Sequence, residues 1–177
     1  FLGLGLYPLL ALNSYSPLDP GWSRTGQAEV INNTVGRSGA WVADVLFLVF
    51  GYLAYLFPLM LGYRALEIFR ERKSLFEFSW EIIGIRGAGF VLTLMSAAAI
   101  ASMHFSTDLQ GSAGGLLGQG MSLVTLPILK IAGATLIFLT FLFLGLTLVL
   151  GISWLRLVDS VGALCLRLWD KVSRAWE

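Results

Sequence analysis

Charge is what this chain has least of. Charged residues make up 13% of its 177 residues, against about 25% in a soluble domain. A water-soluble fold of this size would lack the charged side chains to cover its surface. Cysteine occurs once, at Cys165, which excludes an intrachain disulfide and any metal site built on two thiolates. Histidine also occurs once, at His104, so paired-histidine zinc sites are excluded and a nucleophile would lack its usual base. The 12 basic and 11 acidic residues give a net charge of +1, and no strong field draws in nucleic acid. What remains is apolar: 56% of the residues, with a mean hydropathy of +0.77. This is the composition of an integral membrane protein.

A membrane-spanning helix needs about 20 mostly apolar residues, each rising about 1.5 Å. Three complete candidates are present: 41–63, with Asp44 as its one charge; 87–107, uncharged between Arg86 and Asp108; and 131–153, inside the uncharged stretch between Lys130 and Arg156. A fourth apolar run, 1–12, lacks the basic flank of a signal peptide and is expected to be the end of a span whose beginning is missing. No period-two alternation suggests a barrel. The expected fold is therefore an all-α membrane protein, a bundle of four transmembrane helices with the first truncated, over 1–153. External loops are expected at 13–40 and 108–130, and a cytoplasmic loop at 64–86.

Basic residues set the orientation. The 64–86 loop and the tail carry Arg64, Arg70, Arg72, Lys73, Arg86, Arg156, Arg167, Lys171 and Arg174, whereas the opposite side has Arg24, Arg37 and Lys130. Both termini are thus expected in the cytoplasm. The tail, 154–177, places Arg156, Asp159, Arg167, Asp170, Lys171 and Arg174 opposite Leu155, Val158, Cys165, Trp169, Val172 and Trp176, the pattern of an amphipathic interfacial helix.

Small residues recur along the spans. The second carries Ala40, Ala43, Gly51, Ala54, Pro58 and Gly62, with Phe47 interrupting the stripe; the third carries Gly89, Thr93, Ala97 and Ala101. Such stripes let helix backbones approach closely, either within the chain or between copies. In the first external segment, Ser16-Pro17 and Asp19-Pro20-Gly21 dictate turns, Trp22 suits the membrane interface, and Asn32-Asn33-Thr34 offers helix caps before Gly36 and Gly39. The second external segment gathers Gly111, Gly114, Gly115, Gly118 and Gly120, with Pro127 before Lys130, and reads as a re-entrant or interfacial turn.

Chemistry is sparse. Gly115 to Ser122 spaces its glycines like a phosphate loop, but Met121 stands where the lysine belongs. Asp44, a carboxylate inside a span, needs a partner, and Arg37, Lys130 or His104 are the expected ones. The expectation for Asp44 is a structural pair or cap. His104 has no second ligand for a metal. Glu67, Arg70, Glu71 and Arg72 read as a solvated helix extension with pairs one turn apart. The hydroxyls Thr93, Ser96, Thr135, Thr140 and Thr147 are expected to bond back to their own helices. No cofactor, metal or catalytic residue is expected, and the chain itself is not expected to be an enzyme.

Several strings together resemble a known family. They are Ser14-Tyr15-Ser16-Pro17-Leu18-Asp19-Pro20-Gly21-Trp22; Asn33, Gly36, Gly39-Ala40 and Ala43-Asp44; Phe50-Gly51-Tyr52-Leu53-Ala54; Gly114-Gly115-Leu116-Leu117-Gly118; Gly133-Ala134-Thr135; and Gly151-Ile152-Ser153-Trp154. They resemble the N-terminal membrane domain of the FtsK/SpoIIIE family of bacterial DNA translocases, over nearly the whole chain. The resemblance implies a four-span anchor in the bacterial inner membrane at the division septum. A linker and a hexameric DNA-pumping ATPase would follow, and the motor residues of that ATPase match no position here. It also implies a homo-oligomer, a hexamer, in the lipid bilayer, contact with other division proteins, and no direct nucleic-acid contact by this chain. The candidates for structural or interaction roles are Asp44, Asn33, Gly36, Gly39, Asp19, Pro20, Trp22, Gly114, Gly115 and Gly118. From the residues alone, a small-molecule channel or transporter subunit is the competing reading.

Overall fold

Without water to satisfy it, backbone inside a bilayer folds into helix, and the apolar runs do so. The computed structural model describes residues 2–25, 31–71, 80–107 and 111–151, together with positions 162, 163, 166 and 169 of the tail. The helices are α1 (Leu2–Asn13), α2 (Gly36–Phe50), α3 (Leu56–Glu71), α4 (Trp80–His104) and α5 (Gly115–Leu150), with a short 3-10 helix, Gly51–Tyr55, joining α2 to α3. No strand occurs among the described residues. Among the described residues, three stretches are long and apolar enough to cross a membrane: Gly36–Leu66, Glu81–His104 and Gly115–Leu150. With 12 residues, α1 rises about 18 Å, less than a full crossing.

Two breaks shape the bundle. The ring of Pro58 clashes with a helical carbonyl four residues back and supplies no N–H, so the α-helical ladder fails around Ala54. The chain instead turns at Gly51 (φ 57°, ψ −141°) into the 3-10 helix, a backbone conformation glycine adopts most readily. The second break is at Lys130 (φ 54°, ψ 176°), which divides α5 into 115–129 and 131–150.

Packing forms two groups. Ala11 and Leu12 of α1 bury against Ala43, Phe47 and Ala54. Here Phe47 does not interrupt the small-residue stripe; it is buried at its centre, with its ring 4.8 Å from Tyr15 and 5.8 Å from Tyr55. In the second group, Ala99 of α4 meets Ala134 and Phe138 of α5. Gly89 lies against Gly145, Leu148 and Val149, and Gly145 against Thr93, so the stripe of the third span finds its partner within the chain. The Phe57 and Phe90 rings, 5.4 Å apart, link the two groups.

The observed helices differ from the expected loops. The 108–130 loop is helical from Gly115, and the 64–86 loop is helical to Glu71 and again from Trp80. Likewise α2 begins at Gly36, inside the expected 13–40 loop, and α4 ends at His104. A charged residue does not end a helix, which continues past it where its polar end reaches the interface. The expected amphipathic tail lies mostly outside the described residues; positions 162, 163, 166 and 169 are helical, with Leu166 and Trp169 exposed. The expected pairing of Glu67, Arg70, Glu71 and Arg72 lies outside the described side chains.

Candidate functional site

Between α1 and α2 the described residues 14–25 and 31–35 form a strap, and several of their polar side chains converge on the end of the bundle. At the end of α1 the Leu10 and Leu12 carbonyls accept from the Ser14 and Tyr15 N–H groups, and side chains add further bonds to the last carbonyls of the helix. Ser14 Oγ donates to the Leu10 carbonyl (2.7 Å), Asn33 Nδ2 to Ala11 (2.8 Å) and Tyr55 Oη to Leu12 (3.2 Å). Because the Ser14 proton goes to Leu10, the 2.9 Å contact between Ser14 and Thr34 hydroxyls takes its proton from Thr34.

Asn33 is 4% exposed. It was expected to cap α2, but the residue before that helix is Val35 and no side chain caps it. Its amide nitrogen instead serves the end of α1, while its Oδ1 accepts from the Val35 N–H at 3.0 Å. Gly39 lies where a Cβ would overlap Asn33 Oδ1. Gly36 turns the chain into α2 at φ 74°, with its N–H on the Asn33 carbonyl at 2.8 Å. Buried Asp19 holds the strap from the other side: Oδ1 accepts from the Asn32 N–H and Oδ2 from the Asn33 N–H, both at 2.9 Å.

Asp44 is the second buried carboxylate, 3% exposed. Its partners are not Arg37, Lys130 or His104. The Ser23 N–H donates to Oδ2 at 2.7 Å and the Ser23 hydroxyl to Oδ1 at 3.0 Å, with Tyr15 Oη at 3.5 Å. Arg24 Nε faces Oδ1 at 3.5 Å. The Arg24 guanidinium donates to the Pro17 carbonyl and to Tyr15 Oη. Arg37 is seven residues from Asp44 along α2, about 10 Å, and exposed. His104 bonds Thr135 at 2.8 Å. Burial raises the pKa of the Tyr15 hydroxyl, with nearby Arg24 opposing and Asp44 reinforcing the shift. Gly21 passes directly over Asp44, since a Cβ there would overlap the carboxylate. Pro20 is half-buried, and Leu18 and Trp22 point outward, each 62% exposed.

The second candidate cluster sits deeper. Gly114 packs on the Ala98 carbonyl, where a Cβ would overlap it, and Gly118 packs on Ala98 and Ser102. Ala98 is six residues before the end of α4, so the chain dips about 9 Å into the bundle before α5 carries it out. Gly115 lies against Val49 and Gly51. The Tyr52 N–H, released by the first break, donates to the Ala113 carbonyl at 3.0 Å. The segment expected as a re-entrant turn is therefore a re-entrant loop followed by a helix.

The strap joins Asp19, Asn33, Gly36, Gly39 and Asp44, and the turn at Gly114, Gly115 and Gly118 forms a separate cluster. Sequence reasoning missed Ser14, Tyr15, Ser23, Arg24 and Tyr55. The usable signal was Arg24, a cation placed by the Asp19-Pro20-Gly21 turn to return toward Asp44. Among the described residues, no group of three His, Cys, Asp or Glu side chains gathers to hold a metal. Asp19, Asn33 and Asp44 each engage backbone groups of the described strap residues or of the end of α1.

A family model described as the 4TM region of DNA translocase FtsK/SpoIIIE matches residues 1–162. The chain is 39% identical to the DNA translocase FtsK of Pseudomonas syringae pv. syringae over 96% of its length and 22% of the relative's. It is 38% identical to that of Pseudomonas putida over 98% of its length and 22% of the relative's. For that of Shewanella oneidensis the figures are 39%, 90% and 18%. The chain thus spans about a fifth of the length of these curated relatives. No solved structure matches it.

Proposed function

Since the chain belongs to the FtsK/SpoIIIE 4TM family, we propose that it is the membrane anchor, septal targeting and oligomerisation module of a cell-division DNA translocase. The observation that carries this reading is the family match over residues 1–162. The anchor has four spans in the inner membrane, with α1 as part of the first and both termini in the cytoplasm, as the distribution of basic residues favours. It performs no chemistry. A motor that pulls on DNA needs a fixed point, and withdrawing several apolar helices from lipid costs about 25 cal/mol for each Å² exposed to water. The strap, stiffened by Asp19, Asn33 and Asp44, is the surface that meets other division proteins, with Leu18 and Trp22 outermost.

The hydroxyls inside the spans speak against the channel or transporter reading. Thr93, Ser96, Ser122, Thr140 and Thr147 each donate to the carbonyl four residues earlier in their own helix, which suits structural filling more than a polar path.

An anchor exchange tests the proposal. The full-length translocase would carry either this segment or an unrelated four-span anchor, and septal fluorescence of a fusion and chromosome segregation would be scored. Loss of septal enrichment in the exchanged protein is expected. Full enrichment with the unrelated anchor would reduce the segment to a tether. Native mass measurement in nanodiscs tests assembly, and a strictly monomeric segment would remove oligomerisation from its role.

A further inference from the structure

The two interruptions at Gly51 and at Ala113–Gly115 meet inside the bundle. Beside them lies a cleft of about 410 Å³, walled by Leu53, Ala97, Ala101, Ala113 and Leu142. Tyr52 and Phe105 also line it, and at 49% and 66% exposed they form its rim. We propose that this cleft binds one acyl chain of a membrane phospholipid, with the chain's ester end beside the hydroxyls of Tyr52 and Ser106.

The cleft opens between the exposed rings of Tyr52 and Phe105, and Phe141 and Phe143, which flank its wall residue Leu142, are exposed on α5; in a bilayer, acyl chains are the apolar medium against such a surface. An empty apolar cleft forfeits the dispersion contacts of its walls, and an acyl chain would restore them. Its walls come from separate elements held by the Tyr52 N–H to Ala113 carbonyl bond. The site is therefore formed before the chain enters, which lowers the ordering cost of binding. One end is polar: Tyr52 Oη accepts from Thr107 Oγ1 at 3.2 Å, leaving the phenol proton to donate to an ester carbonyl. A helix from a second copy fits poorly, because a helix is about 10 Å wide and the cleft holds only about one turn.

The test uses the full chain in phosphatidylethanolamine nanodiscs doped with a phosphatidylethanolamine that carries a diazirine on one acyl chain. Labelling should concentrate at Leu53, Ala97, Ala101 and Leu142, about fivefold above Leu123 and Val124, which are exposed on α5. Ala101→Phe, which fills the cleft, should bring that labelling down to the Leu123 level while Leu123 itself is unchanged. Ala97→Val gives a smaller decrease and serves if the phenylalanine disturbs folding. Equal labelling at Leu123 and the cleft, or cleft labelling indifferent to both substitutions, would overturn the proposal. So would efficient disulfide formation between copies through Leu53→Cys in a Cys165→Ser background, which would show a second copy covering the cleft.

Discussion

The strap at the end of the bundle and the Gly114 turn deeper within it are held by opposite means. At the strap, buried side chains do the holding: two carboxylates and an asparagine take up backbone N–H and C=O groups that irregular chain leaves over. At the Gly114 turn almost no side chain takes part. Backbone lies on backbone, with Gly114 against Ala98 and Gly51 against Gly115, and one main-chain hydrogen bond crosses between them. The difference follows from depth. Near the interface, polar side chains are cheaply supplied and fix a loop through directed bonds. Within the span an extra polar group is costly, and small residues achieve the same closeness through dispersion and a main-chain hydrogen bond.

The sharpest way to break this comparison is to add volume at the deep contact. Gly114→Val should cost more than about 3 kcal/mol, because its Cβ would meet the Ala98 carbonyl and not a side chain that could turn away. Thermal unfolding in detergent should show the loss. Hydrogen exchange should rise in 111–129 and leave 14–25 and 31–35 protected. Protection lost equally in both segments would mean that the two regions are one cooperative unit.

Asp44→Ala is the reciprocal case. Removing one partner of a buried pair costs about 3 kcal/mol, and the Ser23 N–H and hydroxyl lose their acceptor as well. Limited proteolysis should cut near Ser23 while α4 and α5 stay resistant. An uncut strap would show that Asp19 and Asn33 suffice to hold it. Next in size, Asn33→Ala should cost about 2 kcal/mol, since the Ala11 carbonyl and Val35 N–H are left without their bonds. Faster exchange confined to the end of α1 and the start of α2 is the expected signature.

The smallest effect concerns alkaline pH. The Tyr15 hydroxyl titrates above its usual value near 10 because it is buried in the folded chain. As pH rises past 10 the unfolded chain loses that proton first, so stability falls until the folded hydroxyl also titrates. Tyr15→Phe should flatten this decline. An unchanged slope in denaturant midpoints between pH 9 and 11 would place the titration elsewhere.

Much of the helical plan was legible, because lipid leaves backbone few choices and long apolar runs declare themselves. Asp44 was legible as a buried carboxylate in need of a partner. Arg24 as that partner was not, because the Asp19-Pro20-Gly21 turn brings it back across twenty residues by a path no periodicity encodes. Asn33 was placed correctly at the start of a helix and read as its cap, yet it serves the helix before it. Adjacency in sequence favoured α2; adjacency in space favoured α1. The glycines of 111–120 looked like a turn because glycine weakens isolated helices, whereas Gly115, Gly118 and Gly120 lie in α5, and the close contact of Gly118 with Ala98 compensates for that weakness.

By itself the sequence determined that this chain lives in a membrane, that it is helical, and that its family is the FtsK/SpoIIIE 4TM group. Those outcomes depend on composition, local periodicity and short strings, all of which are one-dimensional. Tertiary structure alone decided which cation faces Asp44, which carbonyls Asn33 and Tyr55 satisfy, and that the breaks at Gly51 and Ala113–Gly115 cover one another. Each of these depends on where distant segments meet. A hydrogen bond or a close backbone contact exists only within an ångström or so, and that distance is set by the packing of the whole bundle.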